Sequence, residues 1–121
     1  MKALLLIAHG SRREASNQEV RDLAARMNNQ ANDFDRVSCA FLELAEPLIP
    51  DGIREAVKHG ANDIVVLPYF LSAGRHVVTD VPEEVNSVLD EFPHVKISMA
   101  PYLGIADKIP DLLFEQAAQT V

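Results

Sequence analysis

The sequence predicts an α/β domain in which a four-stranded parallel sheet, strand order 2-1-3-4, sits between two helical layers. Three observations predict it. Four short apolar runs alternate with four segments of helical periodicity. The first run, Ala3 to Ala8, is apolar without a break, as expected of a strand covered on both faces. Strict β-α alternation with right-handed crossovers then makes neighbouring strands parallel.

The elements follow in order. Ala3 to Ala8 is the first strand. Ser11 and Glu14 have the spacing of a capping box, and Val20, Leu23, Ala24 and Met27 recur at helical spacing, so a helix is expected from about Arg12 to Asn29. Val37 to Leu42 gives the second strand, and Pro47 with the stripe Ile49, Ile53, Ala56 and Val57 gives a second helix ending at Gly60. Ile64 to Leu67 is a third buried strand closed by Pro68, and Val81, Val85, Val88 and Leu89 mark a third helix. Its start is open: Asp80 with Glu83 supplies a cap and Pro82 a first turn, or His76-Val77-Val78-Thr79 already forms a helical turn. Val95 to Met99 supplies the fourth strand, and Ile105, Ile109, Leu112 and Leu113 mark a last helix to the C-terminus.

A chain of 121 residues, 48% apolar and 24% charged, suits a single domain over 1–121 with one core. Its formal charge of −7 excludes a general nucleic-acid or membrane-surface role, which needs a basic face. The lone Cys39 forms no internal disulfide and lies in an apolar run, so a buried thiol and a cytoplasmic, reducing compartment are expected. The opening MKALLLIAHG reads as a strand rather than a leader, because its apolar run stops at His9 and Ser11-Arg12-Arg13-Glu14 follow. No stretch has the roughly 20 apolar residues of a membrane helix.

In a sheet of this order, ligands bind beyond the carboxyl ends of the strands at the switch point, here between the first and third. The segments that leave those strands read Ala8-His9-Gly10-Ser11-Arg12 and Pro68-Tyr69-Phe70-Leu71-Ser72-Ala73-Gly74-Arg75-His76. Each brings one histidine and at least one arginine. A lone histidine after a strand is ordinarily a structural hydrogen-bonder, but two facing one crevice can share a borderline divalent ion such as cobalt, iron, nickel or zinc. A place near the start of the third helix would disfavour protonation of His76 and keep a lone pair available. Glu43, with Glu46 one turn on, follows the second strand; either completes a ligand set, accepts protons or stays a solvated loop charge. Arg12 and Arg13 either solvate the first helical turn or meet an anionic ligand, and Arg75, between Gly74 and His76, is the better candidate for that role. Phe70 to Gly74 either covers a flat hydrophobic ligand or packs under the third helix. His59 and His94 suit a helix end and a turn.

Together, AHGSR, FLELAEP and LPYFLSAGRHVVTDVP, in order between Ala8 and Pro82, resemble the small, single-domain sirohydrochlorin cobaltochelatases of the class II chelatase family. The resemblance implies the three-layer, flavodoxin-like chelatase fold. It also implies ATP-independent insertion of a divalent metal, Co2+ or alternatively Fe2+ or Ni2+, into sirohydrochlorin, on the route to cobalamin or sirohaem. The family's metal-binding histidines fall on His9 and His76, and its acidic position falls on Glu43, with Glu46 also admitted. Gly10, Ser11, Arg12, Phe70, Leu71, Ser72, Gly74 and Arg75 are then the expected substrate contacts, the arginines meeting the carboxylates of the macrocycle. Longer relatives look like two such units fused, so a head-to-tail homodimer enclosing the site is implied. No organic cofactor is expected, and a GxxxxGK[ST] nucleotide loop is absent. Two other functions fit the same residues: a non-catalytic metal carrier, and a phosphate-transfer centre with histidine as nucleophile. Ala8 stands where the histidine phosphatases' Arg-His-Gly order needs arginine.

Overall fold

A computed structural model describes residues 1–30 and 32–120. The elements run β1 (Lys2–Ala8), α1 (Glu14–Asn29), β2 (Arg36–Phe41), α2 (Ile49–Lys58), β3 (Asp63–Pro68), α3 (Val81–Asn86), β4 (Lys96–Met99) and α4 (Ile109–Ala117). The sheet has the expected order β2-β1-β3-β4, all pairs parallel, with Leu6 of β1 opposite Cys39 on one side and Leu67 on the other. Central β1 is buried from Ala3 to Ala8, which is why its sequence does not alternate.

The two faces of β1 feed two cores. Leu5 and Ile7 pack with Ile64 and Val66 beneath α2 (Ile49, Ile53, Ala56), α3 (Val81, Val85) and Val88 just past its end. Leu4 and Leu6 pack on the opposite face with Ala24, Val20, Leu23 and Met27 of α1. Cys39 sits half-buried at this second core, and burial pushes its thiol up from its ordinary range, against a smaller opposing effect of Arg21. Because the thiolate is the reactive form, Cys39 is expected to label with a maleimide at pH 7.5 at least about tenfold slower than a free thiol, and to reach the free rate in denaturant. Equal rates in native buffer would show the strand to be open.

Two expectations need correction, and the start of the third helix, left open, is now fixed. The Ser11–Glu14 capping box does not form: α1 begins with Arg13 as its N-cap, without a side-chain cap. Instead the Asn17 amide, buried one turn inside α1, accepts from the Ser11 N–H (2.8 Å) and donates to the Ser11 carbonyl (2.8 Å) and to Glu14 (3.2 Å). One amide thereby ties both the N–H and the carbonyl of Ser11 to the helix. For the third helix, the earlier start is the observed one. His76–Asp80 forms a π-helical turn, in which the Val81 N–H reaches back to the His76 carbonyl, and runs straight into α3. Asp80 is itself helical and caps nothing; Pro82, lacking an N–H for Val78, favours the widened turn ahead of it.

The last helix departs most. Ile105 belongs to a separate 3-10 turn, Leu103–Ile105, because Pro110 is tolerated only in the first turn of a helix and so forces a fresh start at Ile109. Leu112, Leu113 and Phe114 of α4 are exposed rather than laid on the sheet. Val121, the end of that expected helix, lies outside the described residues.

Candidate metal centre

The exits of β1, β2 and β3 converge at the carboxyl edge of the sheet. The β1–β2 ladder continues past both strands, with the Leu42 N–H on the Ala8 carbonyl (2.9 Å) and the Glu43 N–H on the His9 carbonyl (3.0 Å). Gly10 makes this approach possible. Its φ is +93°, and a Cβ there would lie 1.7 Å from the Glu43 carbonyl oxygen. Leu44, at φ 64°, then turns the chain away in the left-handed region.

This backbone brings the His9 ring and the Glu43 carboxylate together, Nε2 to Oε1 at 3.1 Å. From the other wall of the crevice, the π-helical turn presents His76, whose ring centroid is 4.4 Å from that of His9 at a 32° tilt. His76 Nδ1 is in turn held by Asp80 Oδ2 at 2.9 Å. A carboxylate only accepts, so Nδ1 carries the proton toward Asp80 and His76 Nε2 keeps its lone pair. By the same reasoning His9 donates from Nε2 to Glu43. Both imidazoles and both carboxylates are partly open to solvent. Among the described residues, no cluster of three or more His, Cys, Asp or Glu side chains is assembled in metal-holding geometry. Two nitrogens beside one already-engaged carboxylate fall short of a closed ligand cage.

With the fold and this histidine pair in view, comparison with known proteins is decisive. The family model described as CbiX matches residues 3–120. The chain belongs to the CbiX family. It is 32% identical over 121 residues to the sirohydrochlorin ferrochelatase of Priestia megaterium, covering 99% of this chain and 45% of that one. It is 30% identical to the sirohydrochlorin cobaltochelatase of Sulfurisphaera tokodaii, covering 100% of this chain and 95% of the relative. The structure of SirB from Bacillus subtilis with Fe3+ superposes with a TM-score of 0.87 at 30% identity, covering 99% of this chain and 48% of that one. The chain thus spans about half the length of the first of these curated relatives and nearly all of the second.

The other residues singled out in this CbiX-family chain fall into three groups. Arg12 and Arg75 are exposed near the histidines, and among the described residues neither forms an ion pair. Arg13 turns instead to Ser16 Oγ (3.1 Å), and the Ser11 hydroxyl accepts from the Arg13 N–H (3.0 Å). The β3 exit splits: Phe70 packs on the α2–α3 core, whereas Leu71 is 70% exposed beside Ser72 and Gly74. Glu46 is exposed, and its carbonyl, not its carboxylate, is used, by Arg21 at 3.2 Å. Sequence reasoning missed Asn17 and Asp80 as supports of this site. Their signals were an asparagine in line with the apolar stripe of α1, and a histidine–aspartate spacing of four.

Proposed function

We propose that this chain inserts a divalent metal ion, Co2+ first among those considered, into sirohydrochlorin without a nucleotide. The observation that supports it is the pair of imidazoles 4.4 Å apart across the switch point, with a carboxylate hydrogen-bonded to one of them. Sirohydrochlorin must lose two pyrrole protons as the ion enters, so the site needs a loose hold on the metal and a proton acceptor. His76 offers Nε2, oriented by Asp80. At His9 an ion held at Nε2 requires the ring's one proton to sit on Nδ1 instead, which leaves the Glu43 carboxylate, 3.1 Å from that Nε2 before the ion arrives, unprotonated and ready to accept a pyrrole proton. As the ring nitrogens take the ion, the histidines are released, and the two pyrrole protons pass one to Glu43 and one to a freed imidazole. Arg12 and Arg75 meet the carboxylates of the macrocycle, and Leu71 meets its flat apolar face. Two copies packed head to tail would supply the second wall that a flat substrate needs, and the doubled length of the Priestia relative fits that arrangement.

Cobalt takes precedence because the relative matched over nearly its whole length is named for it. Iron is the second reading, favoured by the Priestia name and by the Fe3+ in SirB. A non-catalytic carrier would bind the ion but leave the absorbance of the macrocycle unchanged. The test is anaerobic mixing of the protein with sirohydrochlorin and Co2+, Fe2+ or Ni2+, following the absorbance of the macrocycle. A rate no greater than the protein-free control with every metal would overturn the reading.

Two variants grade the parts. Arg75→Ala is expected to raise the KM for sirohydrochlorin about tenfold, the equivalent of one charged hydrogen bond, with little change in kcat; an unchanged KM removes Arg75 from the substrate site. Asp80→Ala is expected to weaken Co2+ binding, measured by calorimetry, about 10–100-fold, with Asp80→Asn partly restoring it because its amide oxygen still accepts from Nδ1. Equal affinities in all three proteins would mean that Asp80 does not orient His76.

A further inference from the structure

Two loops that leave the sheet at the metal centre are held by the same helix. The β1 exit, His9 to Arg13, is fixed to α1 by the Asn17 amide, which is 2% exposed and pairs with the N–H and the carbonyl of Ser11. The β2 exit, Leu42 to Pro47, is fixed to α1 by Arg21, whose Nη2 donates to the Glu46 carbonyl at 3.2 Å. Among the described residues, no other side chain bonds the backbone of that segment.

Glu14 joins the two anchors. Its Oε1 accepts from Arg21 Nη1 and its Oε2 from Asn17 Nδ2 at 3.2 Å. Arg21 first and Asn17 second hold this carboxyl below the usual carboxylate range, so it stays an acceptor for both. The spacing of Glu14, Asn17 and Arg21 sets them on one face of α1. An unbroken line of hydrogen bonds, Ser11–Asn17–Glu14–Arg21–Glu46, thus runs from one loop to the other.

The far end of this line needs arginine. Nη1 and Nη2 serve different partners while the guanidinium lies over the Phe41 ring, 5.3 Å from its centroid. Phe41 ends β2 and is fully buried, so its ring is a fixed seat. A planar fork can stack on that ring and reach a carboxylate and a carbonyl at once; an ammonium is a single point charge. The loop also needs a tether. Directly after Glu43, Leu44 stands at φ 64°, a left-handed backbone that a leucine keeps only where its surroundings enforce it.

We infer that Arg21 is a positioning residue for Glu43: through the Glu46 carbonyl it keeps the β2 exit closed on the β1 exit, so that the carboxylate stays within hydrogen-bond reach of His9. Arg21 itself touches neither ion nor macrocycle. Its effect on turnover rests on the metal-insertion reading proposed above; its effect on the loop does not.

Amide hydrogen exchange on the full chain tests the loop. In Arg21→Ala the Glu43 N–H, bonded to the His9 carbonyl, is expected to gain at least about tenfold in exchange rate over any gain at Leu5 and Leu6 of β1, the equivalent of one charged hydrogen bond. Arg21→Lys should leave the Glu43 N–H fast, because one ammonium cannot span Glu14 and Glu46. No gain at Glu43, or the same gain at all three amides, overturns the inference, since Arg21 would then hold nothing near the site or only the fold at large.

The absorbance assay tests the consequence. Arg21→Ala is expected to lower kcat about tenfold, with the Co2+ affinity and the KM for sirohydrochlorin within about twofold of wild type, because both histidines keep their places. In a Glu43→Gln background the same substitution should change kcat by less than about twofold, its route to the reaction having been removed. Equal losses in the two backgrounds overturn the positioning role. Failure of the wild-type chain to insert any metal would sink the functional reading instead, and the exchange rates would still decide for or against the tether.

Discussion

His9→Ala and His76→Ala each reduce kcat/KM for metal insertion by more than about 100-fold while leaving the fold intact. The magnitude follows from what the residues touch: losing an outer partner of a metal ligand already costs about 10–100-fold, and losing the ligand costs more. The fold is spared because both imidazoles stand partly in solvent past the ends of their elements, with no part in either core. His9→Ala also strips Glu43 of its hydrogen-bond partner, so its proton-accepting role is lost together with one ligand. The double variant should be little worse than either single one if, as proposed, the two rings act on one ion. Stopped-flow absorbance with saturating Co2+, read beside far-UV circular dichroism, checks this. Wild-type turnover in either single variant would end the two-histidine mechanism.

The second large effect is on stability. Gly10→Ala should cost about 3 kcal/mol or more, because the new Cβ imposes a left-handed strain of about 1–3 kcal/mol and an overpacking penalty of similar size. Both follow from one place in the chain: φ +93° and 1.7 Å to the Glu43 carbonyl oxygen. In a domain of this size that is a fall in Tm of more than about 10 °C. Gly74→Ala is the control, since nothing lies within 4 Å of its added Cβ and its φ is ordinary. It should be neutral or stabilising by up to about 1 kcal/mol. Thermal unfolding of the two side by side decides it; similar midpoints would mean that the β1 exit yields more easily than its geometry implies.

Where the sequence was legible, the cause was local. A short continuous apolar run such as Ala3 to Ala8 suits a covered strand, and four short strand-like runs alternating with amphipathic stripes leave few topologies. The two histidines were legible for the same reason, because each directly follows a strand that flanks the switch point. Glu43 was readable as a neighbour of the second strand's end but not distinguishable there from Glu46. The distinction lies in the ladder bond from the Glu43 N–H to the His9 carbonyl, a contact across 34 residues. Asp80 could not be told apart as a cap or as part of an earlier turn, because capping rules take the helix to start where the apolar stripe does, and the π-helical turn starts it five residues earlier.

The amino-acid order alone determined the α/β class, the strand order and the two histidine-bearing segments, because periodicity and strand-to-loop position are written along the chain. Tertiary structure decided what depends on distance between remote residues. It set the His9–His76 separation, the partners that hold each ring and the fate of α4. Its stripe promised burial, and a proline and a short connection turned it away from its own sheet.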